Sequence, residues 1–144
     1  MNETGRLRVA LLVLRLGLGV FLALWSVDKL VQSQGTVHIF SHFYGLHIPA
    51  TAARVIGVAE LLLSAAFLAG WWKTGTYGLA LLLHTVSTLS TYRELLSPFG
   101  RNHLFIAGVP VLAAFVALFV LRREDTLLSL DRRPPPDPAH SDHI

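Results

Sequence analysis

The chain has no cysteine in its 144 residues. That excludes disulfide staples, thiolate metal sites and any thiol-disulfide relay carried by the chain itself. If redox chemistry occurs here, a cofactor or a partner brings the electrons. Charge is also scarce: 15% of the residues are Asp, Glu, Lys or Arg, against about 25% in an ordinary globular chain. Hydrophobic residues make up 53% and the mean hydropathy is +0.54, so the solvent for most of this protein is lipid. The net charge of +3 and pI of 9.8 do not signal nucleic acid, because no basic run interleaves with aromatics as strand-binding surfaces require.

What the sequence does contain is long apolar runs. A spanning helix needs roughly 20 mostly apolar residues, and four stretches qualify: 9–27, 50–72, 75–92 and 104–121. The expected fold is all-α, a four-helix transmembrane bundle over residues 1–125, followed by a tail at 126–144. The opening MNETGRLR has no small-x-small cleavage site before Trp25 and Asp28, so the first run reads as an uncleaved helix. With four spans both ends share a side. Arg6, Arg8, Lys73, Arg122, Arg123, Arg132 and Arg133 fall there, against Lys29, Arg54, Arg93 and Arg101 opposite. The positive-inside rule then places both termini in the cytoplasm, with Trp71 and Trp72 at an inner aromatic belt. The tail ending RRPPPDPAHSDHI has no apolar face and reads as disordered and cytoplasmic. His140 and His143 read as solvated there.

Ionisable groups at bilayer depth mark function by default. Arg15, Arg54, Glu60 and His84 are the candidates. At about 1.5 Å per residue, Glu60 and His84 fall near the midplane, and Arg15 about 9 Å in from the cytoplasmic end. The sequence therefore predicts a buried proton and charge cluster of Arg15, Glu60 and His84. Arg15, Gly19, Ser26 and Lys29 share one stripe of the first helix, Gly57, Glu60 and Ser64 share one of the second, and Tyr77, His84, Ser87, Thr88 and Thr91 line the third. Plainer readings stand beside this: Arg15 snorkelling to the interface, Arg54 and Asp28 as a structural pair, and His84 as helix-packing glue.

The long connection between the first two spans carries TVHIFSHFYGLHI. Val37, Phe40 and Tyr44 at helical spacing, with Phe43 beside them, predict a short amphipathic segment lying on the outer surface. His38 and His42 sit four apart, half of a metal site that only Asp28 among the nearby carboxylates could complete, so interfacial histidines are the simpler reading. An aromatic roof of this kind suits a quinone head group, with Lys29, Trp25, Phe43 and Tyr44 as the pocket.

Arg15, Gly19, Phe21, Trp25, Lys29 and Leu30, followed by GVAELLLSAAFLAGWW with Gly57 and Glu60, resemble the DoxX-like family of small membrane proteins over about residues 8–125. Ser26 departs from the glycine usual before the lysine. The resemblance implies a four-helix bundle of the bacterial inner membrane. It also implies kinship with the membrane subunit of a thiosulfate:quinone oxidoreductase and with proteins that associate with soluble redox enzymes handling sulfur or oxidative stress. A likeness to the fold of vitamin K epoxide reductase carries no chemistry over, since cysteine is absent. The expected function is a membrane subunit of a quinone-linked redox assembly, with a soluble or membrane redox partner and a homo-oligomer both in view. The rival is non-enzymatic: small-solute transport or assembly of a membrane complex. A bis-histidine haem protein ranks third, because His84 and His103 lack partners at matching depth.

Overall fold

The computed structural model describes residues 1–131, and every regular element among them is helical. The elements are α1 (Glu3–Val31), α2 (Ser33–Tyr44), α3 (Ala50–Leu68), α4 (Lys73–Ser90), the short α5 (Tyr92–Leu96), a 3-10 segment (Gly100–Ala107) and α6 (Gly108–Val120). Three stretches are long and apolar enough to cross a membrane: Glu3–Val31, Ala50–Leu68 and Gly100–Val120. Lys73, His84 and the threonines and serines of α4 dilute its hydropathy and keep it out of that set.

Local chemistry sets the helix ends. Asn2 accepts a hydrogen bond from the Gly5 N–H at 2.8 Å, Glu3 lies in the first turn of α1 and Lys29 in its last, so cap and charges both complement the helix dipole. With 29 residues, α1 is about 43 Å long, longer than the roughly 30 Å hydrocarbon core. Its ends therefore reach interfacial depth. Gly45, with φ of 65°, closes α2 in the left-handed conformation, which glycine adopts without steric cost.

Helices α1 and α3 run antiparallel in a close register. Ser26 faces Ser64 with hydroxyl oxygens 3.4 Å apart, and a Cβ on Gly19 would lie 2.3 Å from Leu68 Cδ2. Small residues let two backbones approach where lipid supplies no hydrophobic drive for association. Leu11 and Leu18 of α1, Phe67 of α3, Tyr77 and Ala80 of α4, and Phe115 and Leu118 of α6 form one buried core. Phe67 stands at its centre, its ring 4.7 Å from Tyr77 and 6.0 Å from Phe115. Leucines and valines such as Val13, Leu24, Val55, Leu62, Leu82 and Val120 are exposed around the outside. That is the surface a bilayer covers.

After α6 the chain turns back across the helix ends. Composition assigns this stretch to an unpacked tail, yet Asp125 is fully buried and Ser129 nearly so. The Leu130 and Asp131 amides donate to the Ala69 and Gly70 carbonyls, both at 3.0 Å. Backbone hydrogen bonding of this kind needs no apolar face, which is why hydropathy gives no sign of it. The rest of the expected tail, with His140 and His143, lies outside the described residues.

Candidate functional site

The polar groups expected in one central cluster occupy three separate places. Lys29 Nζ pairs with Glu60 Oε2 at 2.7 Å, the two side chains retaining 15% and 25% of their exposure. The antiparallel register sets this contact: the pairs Ser26 with Ser64 and Lys29 with Glu60 follow in step along α1 and α3. Arg15 is 14 residues from Lys29 on α1, or about 21 Å, so no arginine side chain closes that gap. The expected contact between Arg15 and Glu60 is therefore not formed. Depth counted from each helix end separately misses the register between helices.

Lys29 also lies 5.8 Å over the Trp25 ring, within reach of a cation-π contact. Trp25 is itself 47% exposed, so this corner is reachable from the lipid side. Gly57 makes the approach possible, since a Cβ there would sit 3.0 Å from Lys29 Cβ and 3.1 Å from the Ser26 carbonyl oxygen. Gly57→Ala is expected to destabilise the bundle by about 1–2 kcal/mol, as overpacking does. Unfolding of the purified protein in detergent checks it, with Val58→Ala on the exposed face as the control.

Among the described residues, the ring contacts of Phe43 and Tyr44 are with aromatics other than Trp25. Phe43 packs on Phe105 of the 3-10 segment at 6.0 Å and Tyr44 on Phe40 at 5.1 Å. His38 and His42 stack with ring centroids 6.0 Å apart, and among the described residues no third metal-ligating side chain joins them. Arg54 lines a shallow apolar groove with Val55, Val58, Ala59 and Leu62, and among the described residues it forms no ion pair with Asp28.

His84 sits beside α6. Its Nε2 is 3.1 Å from the Gly108 carbonyl and 3.2 Å from the Thr88 hydroxyl. A bond to a carbonyl requires the hydrogen on Nε2. His84 thus fastens α4 to the irregular start of α6, where Pro110 supplies no N–H. Of the polar stripe on α4, Tyr77 and Thr88 are buried, whereas Ser87 faces outward. Aromatic contacts run through the interior from Trp25 to Phe21, His84, Phe115, Phe67 and Tyr77, at centroid spacings of 6.3, 5.7, 5.2, 6.0 and 4.7 Å.

At the far end of that line is Arg15, fully buried. Its Nη1 donates to both carboxylate oxygens of Asp125 at 3.2 Å, and its Nη2 to the carbonyls of Leu127 and Leu128. The Tyr77 hydroxyl donates to Asp125 Oδ2 at 2.6 Å, and Lys73 Nζ to the Asp125 carbonyl oxygen at 2.6 Å. Asp125 is the residue that sequence reasoning misses. A signal is present: α6 ends on the side where Arg15 lies, and Glu124 and Asp125 follow just after Arg122 and Arg123. Arg15 is thus neither in the expected cluster nor snorkelling to water.

The family model for DoxX matches residues 10–93. No curated protein and no solved structure matches the chain. The matched region covers α1 from residue 10 onward and all of α2 to α4, including Arg15, Lys29, Gly57, Glu60, Tyr77 and His84. With more than half of its length under the family model and apolar helices of spanning length, the chain is a membrane protein that belongs to the DoxX family.

Proposed function

We propose that this chain is a four-span bundle, α1, α3, α4 and α6 crossing a bacterial inner membrane with both termini cytoplasmic, and that it serves as the membrane subunit of a quinone-linked redox assembly. The Lys29–Glu60 pair carries the reading: an ionic pair of donor and acceptor at 2.7 Å, beside an exposed tryptophan, open to lipid. A quinone takes two electrons and two protons, and with no cysteine in the chain a partner enzyme supplies the electrons. The chain's own groups supply position and protons. Lys29 donates to a carbonyl oxygen of the head group and Trp25 gives its ring a flat apolar wall, while the Glu60 carboxylate takes up protons from the aqueous side and relays two of them in turn to the ring oxygens, one for each electron the partner delivers. Arg15, held by Asp125, and His84, held by Gly108, are structural in this scheme.

Glu60→Gln keeps the shape and the hydrogen bond from Lys29 but removes the carboxylate that takes up and releases protons. In the assembled complex it is expected to lower quinone reduction at least tenfold, general acid catalysis contributing about 10²–10⁴, with folded yield unchanged. Measurement of quinol formation beside the recovery of folded protein checks both. Unchanged turnover with a lower yield would transfer the pair to helix packing and the chain to an assembly role.

A further inference from the structure

We infer that Arg15 and Tyr77 form an oxyanion-binding cradle at the termini-side mouth of the bundle, that Asp125 occupies it as an internal ligand, and that residues 125–131 are a displaceable strap. The ligand class is a phosphate group, presented either by free phosphate or by a lipid head group. The inference is independent of the quinone reading, whose Lys29–Glu60 pair lies about 21 Å away along α1.

The first support is the shape of the cradle. A guanidinium and a phenol converge on one carboxylate, Nη1 reaching both its oxygens and Tyr77 OH one of them. Arginine's planar fork is the usual partner for carboxylate and phosphate. The fit is incomplete, however, because Arg15 Nε is buried with no hydrogen-bond partner among the described residues. A buried donor left bare is costly. An oxyanion with more acceptor atoms than Asp125 presents answers it.

The second support is how the strap is held. Leu128 and Leu130 are 75% and 72% exposed, so the segment buries little apolar surface of its own. Polar contacts hold it instead: the backbone bonds to Ala69 and Gly70, Ser129 Oγ to the Gly70 carbonyl at 3.0 Å, and Asp131 Oδ2 accepting from the Lys73 N–H at 3.2 Å. Such contacts exchange readily with water and with a competing anion.

The third is backbone strain. Two non-glycine residues among those described have positive φ, Leu128 at 47° and Trp72 at 44°. One lies in the strap and the other in the turn on which it docks. Unfavourable backbone conformations gather at ligand clamps and switches, and release of the strap relieves the one at Leu128.

The absence of cysteine allows a single nitroxide to be attached through Leu130→Cys in the full chain. In maltoside micelles, which present no phosphate, added inorganic phosphate is expected to mobilise the label with a saturable midpoint, while sodium chloride at equal ionic strength does not. Asp125→Asn retains the shape and removes the competing charge, and should lower that midpoint at least tenfold. Mobilisation in phosphatidylglycerol nanodiscs without added anion supports the cradle and assigns it to a lipid head group. Mobilisation by free phosphate alone supports it and assigns a soluble ligand. A label that stays fixed in both settings, or moves equally with chloride, overturns the inference. The wild-type background alone decides this if Asp125→Asn fails to fold.

Discussion

Asp125→Ala is expected to destabilise the folded bundle by about 3–5 kcal/mol, the range seen when one partner of a buried ion pair is removed. The reason is less the lost attraction than the guanidinium left behind. Arg15 is completely buried, and among the described residues its Nη1 has no acceptor other than the two oxygens of Asp125. Tyr77 loses its acceptor at the same time. Replacement of both charges has a different outcome: Arg15→Met with Asp125→Leu should recover most of the loss, since a buried pair is often exchanged for apolar residues at little net cost. Unfolding in mixed micelles of the wild type, Arg15→Met, Asp125→Leu and their double variant, with Asp125→Ala beside them, checks it. A loss below about 1 kcal/mol for Asp125→Ala, typical of a solvated pair, would mean that water reaches Arg15 in solution.

Much of the architecture is legible in the sequence because it rests on periodicity. Gly19, Ser26, Gly57 and Ser64 mark inward faces through their spacing, and the structure buries all four. His84 was legible as an interior group, and its plain reading as packing glue describes the bonds it makes. The partner of Arg15 was not legible, for two physical reasons. Asp125 is 110 residues away in the chain, and no local pattern links them. The strap that carries it docks through backbone amides and carbonyls, which every residue possesses and no composition reveals. Lys29 and Glu60 each stand out in the sequence, but their pairing depends on the register of α1 against α3. Ångström-level sliding of one helix along another leaves hydropathy unchanged and alters every polar contact.

That register also explains why a glycine outside the helices should matter so much. Gly70→Ala is expected to destabilise the protein by about 3 kcal/mol, from two contributions that act together. At φ of 62° the backbone is left-handed, which costs a residue with a Cβ about 1–2 kcal/mol. The added methyl would then lie 2.6 Å from Arg15 Nη1 and 2.7 Å from Ser129 Oγ, and overpacking of that kind costs roughly 1–3 kcal/mol. Neither neighbour has an easy retreat: Arg15 is anchored to Asp125, and Ser129 bonds the carbonyl of Gly70 itself. The strap is the part that can yield, so the total should not exceed the loss from Asp125→Ala. The variant should therefore mobilise a nitroxide at position 130 before any helix unfolds, with helical content unchanged in circular dichroism. A fixed label together with a loss under about 1 kcal/mol would show that the turn at Gly70 accommodates the methyl by moving the backbone, and that the close packing of turn, arginine and strap is looser in solution than these distances imply.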